Sequence, residues 1–503
     1  MRQARILTAA LLLACTADIA AQPGTARPPA GSAVQAGTQG TLPRLKVHPD
    51  RRYLVREDGT PFLYLSDTAW ELFHRPTREQ VRAYLELRAR QNFTAIQAVA
   101  LAEVDGISDP NAYGDLPLID KDPARPAVTP GADPGNSQEY DYWDHVDYVV
   151  DEANRLGMYV AFLPTWARWL GVNPRDEKVI TVENAQPYGE FLGRRYGKKG
   201  IIWVIGGDRR GDGFEDVWRA MAKGIAIGVT GREDYESVLM TYHPSGSQTS
   251  STWFHNDPWL SFNMQQTGHG PAATSKPWEK IAADYERTPV KPVVEGEPLY
   301  EDHPIGFVRG VRENGFSSDN HVRQRAYWTL FAGAAGVAYG HHSVWQMYAP
   351  GRRPINGPLY FWEEAIHRPG AAQMQHVRTL MESRPMLSRV PDQSLVVDAL
   401  DGPERIQAMR APDHLFVYTG SGIAFTVNLG KISGSQLRGY WYNPRNGTST
   451  EIGTLENSGT REFRPQYEGL GSDWVLVLED AEKKYPAPGR LVPAPPPPPP
   501  AAP

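Results

Sequence analysis

Ile201-Ile202-Trp203-Val204-Ile205-Gly206-Gly207-Asp208-Arg209 is an apolar, β-branched run of strand length that ends in two glycines and an acid. The run reads as a buried strand and its ending as a loop, which puts Asp208 at the strand's carboxyl end. Pro292-Val293-Val294-Glu295-Gly296-Glu297-Pro298 repeats the pattern and carries Glu297 just past its last apolar residue. In a (β/α)8 barrel, catalytic groups stand at the carboxyl ends of the strands. Two acids about 90 residues apart, after the fourth and seventh strands counted below, are the arrangement that glycoside hydrolysis needs.

Outward from these runs, strand and helix patterns alternate. Strand candidates are Phe62-Leu63-Tyr64-Leu65, Ala95 to Val99, Tyr159 to Leu163, Ile201 to Ile205, Val238 to Tyr242, Leu260 to Met264, Val290 to Val294 and Gly336 to Tyr339. Between them lie amphipathic helix patterns: Arg78 to Arg90 with Val81, Leu85 and Leu87 inward, Trp143 to Leu156, Tyr188 to Tyr196, and His321 to Ala332. Eight strands separated by helices predict a closed (β/α)8 TIM barrel over residues 43–390. The fifth crossover is the weakest, because Pro244 to Pro258 is mostly small and polar. An open doubly wound sheet is the alternative, and no Gly-rich phosphate turn after the first strand supports it.

From residue 391 to 480 the pattern becomes short alternating runs, such as Leu415 to Tyr418, Ile423 to Val427, Gly439 to Tyr442 and Trp474 to Leu478, with turn signals such as Asn446-Gly447. They predict a small all-β sandwich domain. Residues 481–503 form a Pro-rich tail containing the run Pro495 to Pro500, an extended polyproline signal. Residues 16–42 are rich in Ala, Gly, Pro, Thr and Gln and read as a flexible linker.

The start of the chain reads as an export signal over residues 1–15: Met1-Arg2-Gln3-Ala4-Arg5 supplies positive charge, and Ile6 to Ala14 is mostly apolar. Leu12-Leu13-Ala14-Cys15 is similar to the lipobox of bacterial lipoproteins, which implies a lipid anchor at Cys15 and a periplasmic or outer-membrane location. The alternative is an ordinary signal peptide cut near Ala20 or Ala21. Cys15 is the one cysteine, so no internal disulfide forms on either reading. A net charge of −6 and a pI near 6.1 give no electrostatic case for nucleic acid or an anionic membrane surface.

Polar residues at the strand ends face a common mouth. The candidate substrate-binding residues are Asp67, Trp70, Gln97, Trp166, Arg168, Arg209, His243, Gln265, His341 and Trp345, with Trp169, Gln266, His269 and His342 beside them. Flat aromatic faces stack on sugar rings while amides and carboxylates bind hydroxyls, so the mixture suits a carbohydrate. Asp208 could equally cap the helix near Phe214 or pair with Arg209 or Arg210, and Glu295 is a rival to Glu297 two residues away. The histidines lack a zinc spacing, Asp208-x-x-x-Asp212-Gly213 lacks the other ligands of a calcium loop, and no Gly-x-Ser-x-Gly elbow is present. No metal and no cofactor is expected.

Asp58-Gly59-Thr60-Pro61-Phe62, Ser66-Asp67-Thr68-Ala69-Trp70, Gly206-Gly207-Asp208-Arg209, His243-Pro244 and Gly296-Glu297-Pro298 together resemble glycoside hydrolase family 140, the apiosidases. Trp441-Tyr442-Asn443-Pro444-Arg445-Asn446-Gly447 is similar to a β domain often appended there and labelled collagen-binding. The likeness spans roughly residues 43–480. It implies Asp208 as acid/base, Glu297 rather than Glu295 as nucleophile, and a β-apiofuranosyl link to galacturonic acid in pectic rhamnogalacturonan II as substrate. The implied partner is thus a plant cell-wall oligosaccharide or polysaccharide. Gly-Asp replaces the Asn-Glu of commoner barrel glycosidases at strand four, which shortens the acid by one methylene and calls for compensating backbone placement. Asp208 must be protonated, which requires Arg209 and Arg210 to point elsewhere; Arg168 or Arg209 would hold a galacturonate carboxylate. Two other readings stay open: a hydrolase of another furanoside or pectic linkage, and a non-catalytic polysaccharide- or collagen-binding surface protein.

Overall fold

In the computed structural model, the structure describes residues 42–490, Pro174 excepted. The expected leader with Cys15, the linker up to residue 41 and the proline run lie outside the described residues. Eight parallel strands, β1 (Tyr64–Thr68), β2 (Ala95–Leu101), β3 (Tyr159–Thr165), β4 (Ile201–Gly206), β5 (Met240–His243), β6 (Asn263–Gln266), β7 (Val293–Glu295) and β8 (Gly336–Gly340), are ordered β5-β4-β3-β2-β1-β8-β7-β6. Between β5 and β6 the barrel closes through fewer bonds: Ser261 N–H donates to Met240 O at 2.8 Å and Thr241 Oγ1 to Phe262 O at 2.7 Å. The weak fifth crossover is a two-residue strand, Gln248–Thr249, antiparallel to β6, followed by one helical turn, Ser251–Phe254.

Four strands begin later than the apolar runs suggest. β1 starts at Tyr64 because Phe62 pairs with Leu54 in a separate three-stranded antiparallel sheet, Leu45–Val47, Leu54–Arg56 and Pro61–Phe62. Arg51, in that sheet's first connection, donates to Val290 O at 2.7 Å, below the start of β7, which places the sheet across the bottom of the barrel. Val238 and Leu260, ahead of β5 and β6, are likewise buried. Apolar residues at the barrel floor are buried by packing before strand pairing begins, so hydrophobicity alone marks the runs too early.

The outer helices include α1 (Arg78–Arg90), α2 (Tyr142–Arg155), α3 (Val182–Tyr196), α4 (Glu215–Thr230), α5 (Pro277–Tyr285), α6 (Phe307–Asn314), α7 (Asp319–Phe331) and α8 (Pro369–Glu382). α1 begins at a capping box, with Thr77 accepting from Gln80 N–H and Gln80 reaching back to Thr77 N–H at 3.0 Å. α3 and α4, which precede and follow β4, meet backbone to backbone along Gly189, Gly193, Gly224 and Gly228. A Cβ on Gly193 would lie 2.5 Å from Ile225 O, and one on Gly224 2.2 Å from Gln186 O. Only glycine permits that approach.

The C-terminal domain is a sandwich. A six-stranded sheet runs through Val390–Pro391, Ile406–Arg410, His414–Thr419, Trp474–Asp480, Gln436–Tyr442 and Ser449–Glu456, and a two-stranded sheet, Phe425–Asn428 with Thr460–Phe463, covers one of its faces. Leu415, Val417, Leu476 and Leu478 fill the space between the sheets together with Phe425 and Phe463. Their neighbours Phe416, Tyr418, Val475 and Val477 point the other way and join the barrel's core. The sheet is therefore buried on both faces.

α7 is the element it lands on, and α7 is buried almost all round. Tyr327 stacks on Tyr418 with ring centroids 4.8 Å apart. Arg323 Nη2 donates to Asp473 Oδ1 at 2.8 Å and Nε to Oδ2 at 3.0 Å, and Arg384 Nε donates to Glu479 Oε2 at 2.7 Å. The first part of the expected tail is also attached: Tyr485 OH donates to Asp413 at 2.7 Å. No helix among the described residues is long and apolar enough to cross a membrane.

Because Arg323 and Asp473 are 1% and 0% exposed, Arg323→Leu leaves a buried carboxylate without its partner. It should lower stability by about 3–5 kcal/mol, read as a fall in the urea midpoint, with partial recovery in Arg323→Leu/Asp473→Asn. An unchanged midpoint in the single variant would show that the pair does not hold the docked sheet.

Candidate active site

At the carboxyl ends of the strands lies a cavity of about 460 Å³, lined in part by Trp70, Glu103, Trp166, Asp208, Gln266, His269, Glu297, Tyr300, His303, Phe307 and Trp345. Its two opposed acids reach it by different backbone routes. After β4 the chain turns through Gly206, Gly207 and Asp208, all with positive φ (96°, 134° and 49°). A Cβ on Gly206 would lie 2.6 Å from His243 O and one on Gly207 2.8 Å from the Trp166 ring, so the turn can carry no side chain before the acid. This turn supplies the backbone placement that the short Asp side chain calls for.

His243, at the end of β5, fastens both acids. Its carbonyl accepts from Gly207 N–H at 3.1 Å, and its Nδ1 accepts from Asp208 N–H at 3.3 Å. With Nδ1 accepting, the ring proton sits on Nε2, which faces Glu297 Oε2 at 3.1 Å. His269 Nε2 donates to the other oxygen, Glu297 Oε1, at 3.1 Å. Trp70 meets the His243 ring edge-on at 5.2 Å and Trp166 lies 5.7 Å from it, which shields the imidazole from water.

The two acids are driven apart in pKa. For Glu297, burial pushes the pKa up, but the hydrogen bonds and electrostatic pull of His243 and His269 outweigh it and bring it to about 2. For Asp208, burial and then the Glu297 charge raise the pKa against Arg209, His243 and Gln266. Arg209 does not point elsewhere, as the sequence argument required: its Nη1 donates to Asp208 O at 2.7 Å and to Oδ2 at 3.0 Å. Arg210 does turn away, to Asp212 at 2.5 Å. Gln266 Nε2 donates to Asp208 Oδ1 at 3.1 Å. The cavity thus joins an anionic carboxylate to a carboxyl held toward its neutral form, the pairing that acid-assisted nucleophilic displacement uses.

Of the candidate residues, Trp70, Trp166, Asp208, Glu297 and Trp345 come together on the cavity wall, with His243 behind them and Arg209 on Asp208. The rest stand apart from it. Asp67 turns outward to α1, where Arg88 and Tyr84 OH (2.7 Å) take its carboxylate. Gln97 braces the barrel interior, donating to Thr68 Oγ1 at 2.9 Å and Gly296 O at 3.0 Å. Gln265 faces α5 and donates to Asp284 at 2.9 Å, while its neighbour Gln266 enters the cavity. His341 is tied to Asp302 at 3.0 Å, and Arg168 donates to Glu103 O at 2.8 Å. Glu295 is not on the wall: its Oε1 accepts from Thr267 N–H (3.1 Å) and Glu297 N–H (3.2 Å), and burial brings its pKa to about 7.

The sequence argument passed over Glu103, Tyr300, His303 and Phe307 as site residues. The first three sit on loops beyond the strand ends and Phe307 is the first residue of α6, where no period marks an inward position. Phe307 is 51% exposed at the rim with a left-handed φ of 69°, a conformation rare for an aromatic residue. Among the described residues no group of three or more His, Cys, Asp or Glu could hold a metal ion.

A barrel with this paired-acid mouth is the architecture of a glycoside hydrolase, and the relatives agree. A solved structure named "Glycoside hydrolase" is 34% identical, with TM-score 0.80 over 88% of this chain and 98% of that one. A glycoside hydrolase family 5 protein from Bacteroides vulgatus is 32% identical, with TM-score 0.79 over 90% of this chain and 97% of that one. No curated protein matches the chain. Residues 48–388 match the family described as "Apiosidase-like, catalytic domain", and the chain belongs to that family. Residues 390–479 match "Putative collagen-binding domain of a collagenase".

His243→Ala removes one of the two histidine contacts that hold Glu297 low. The acid limb of kcat/KM should move to higher pH, because Glu297 then takes up its proton earlier as pH falls, and activity at neutral pH should drop about 10²-fold. An unmoved acid limb would show that His243 does not set the charge of Glu297.

Proposed function

We propose that the enzyme is a retaining glycosidase that cleaves a β-apiofuranosyl link to galacturonic acid in pectic rhamnogalacturonan II. Glu297 is the nucleophile and Asp208 the acid/base. The observation that carries the mechanism is the opposed pKa shift of two carboxyls tied through one histidine. Glu297 attacks the anomeric carbon as the bond to the leaving oxygen breaks, and Asp208 gives that oxygen its proton. Glycosylation removes the Glu297 charge, which lowers the pKa of Asp208 and makes it a base toward water. Water then attacks the same carbon and frees Glu297. Family membership supports the apiosyl linkage, and the aromatic wall of Trp70, Trp166 and Trp345 supports a sugar ring.

The β domain acts as a docked companion of the barrel. Its outer sheet face is already buried there, which supports a structural role over an adhesive one. Export and a lipid anchor at Cys15 complete the proposal, on the strength of the Leu12-Leu13-Ala14-Cys15 signature.

Incubation with pectic oligosaccharides should release apiose as its β-anomer; release of a different sugar, or the α-anomer first, would overturn the linkage or the retaining step. Glu297→Gln should lower kcat on the order of 10⁴-fold or more. Asp208→Asn should cost about 10²–10⁴-fold and recover with an activated leaving group. Glu295→Gln should stay active, and the reverse ranking of the two glutamate variants would place the nucleophile at Glu295. Fractionation of the native host tests the anchor: Cys15→Ser should leave the membrane fraction or remain unprocessed, whereas unchanged fractionation would favour a cleaved soluble form.

A further inference from the structure

Glu103 stands on the loop after β2 and shares the cavity wall with Asp208 and Glu297. The chain around it is pinned from three directions. Trp169 Nε1 donates to Ala102 O at 3.0 Å, Arg168 Nη1 to Glu103 O at 2.8 Å, and Val104 N–H donates to Glu71 Oε1 at 3.0 Å. Its own carboxyl, half-buried, meets no hydrogen-bond partner among the described residues. Polar atoms around the cavity are buried without partners, among them Trp166 Nε1, Gln266 Oε1, His269 Nδ1 and Tyr300 OH. Buried polar atoms left unpaired around a cavity are matched by a polar ligand when one enters.

We propose that Glu103 is a third acid of the active site, contacting the substrate by donating a hydrogen bond from its carboxyl to a hydroxyl of the sugar seated between Asp208 and Glu297. The proposal takes the cavity to be the active site and adds a substrate contact to it. The charges that face Glu103 are those of Asp208 and Arg209 after β4, Glu71 after β1 and Glu297 after β7. Burial first, then the Asp208 charge, push its pKa up to about 8 against the opposing Arg209. Among the described residues, neither arginine nor lysine lines the cavity. An anionic Glu103 would therefore add a charge beside Glu297 with only Arg209, already engaged by Asp208, to oppose it, whereas a protonated one offers an O–H to a hydroxyl oxygen. The same wall disfavours an acidic sugar at this position. The seated ring is neutral, and any uronate belongs to the leaving group toward the rim.

Steady-state kinetics across pH separate a donor from an anion. Glu103→Gln keeps a donor of the same length, so its KM near pH 6 should rise less than that of Glu103→Ala, which should rise roughly three- to tenfold. In wild type the fall of kcat/KM at high pH should steepen through about pH 8, where Glu103 loses its proton; Glu103→Gln should show only the shallower limb set by Asp208. Thermal melts confirm that both variants are folded. A wild-type KM in Glu103→Ala, or Glu103→Gln as impaired as Glu103→Ala, would overturn the proposal while leaving the Asp208–Glu297 pair intact. Full activity in Glu297→Gln would overturn the assignment beneath it and the proposal together.

Discussion

One imidazole, that of His243, holds the backbone of Asp208 with one nitrogen and faces the carboxylate of Glu297 with the other. Because the first nitrogen accepts, the second must carry the proton, so the placement of the β4 turn and the charge state of the nucleophile are set by the same ring. The surrounding parts serve that contact. Gly206 and Gly207 let the turn pass under Trp166 and against the end of β5, and Trp70 and Trp166 keep water from the ring. Displacing the imidazole would shift the acid and alter the anion together, and for that reason the two acids behave as one unit.

Much of this was legible in the chain. The runs ending in Asp208 and Glu297 announced their strands and their positions, because a strand buried on both faces is uniformly apolar until it ends. The same uniformity hid the phase of side chains within each strand. Asp67 and Gln265 are strand-end polar residues, yet they face the helices, whereas the adjoining Gln266 faces the cavity. With no polar side to the strand, alternation offers no origin to count from. Arg168 and Arg209 were expected to meet a ligand, but each is already engaged by a neighbouring loop or by Asp208 itself. Loop residues such as Glu103 and Tyr300 carry no period at all, and only the folded loops bring them to the wall.

The β domain shows a related limit. Alternation in Leu415 to Tyr418 and Trp474 to Leu478 predicted a sandwich, and both sets of alternating residues proved to be buried. The second set is aromatic and aliphatic where a solvated sheet face would be polar, a signal that the sheet has another partner. That partner is α7, whose own pattern is apolar on no single side because barrel and sheet enclose it. Barrel and β domain therefore share one continuous core, and neither presents a complete surface alone.

The seam of glycines between α3 and α4 has a meaning beyond packing. These helices bracket β4 in the chain, and their backbones touch with no side chain between them. Side-chain contacts can yield by rotamer changes, but carbonyls pressed against Cα atoms have nothing to rearrange. The strand that delivers Asp208 is thus gauged from behind by incompressible spacers. A single methyl added at Gly193 or Gly224, far from any sugar, would be transmitted as a displacement of the acid rather than absorbed as a local repacking. Through that seam, the cavity's tolerance for error is set on the outer surface of the barrel.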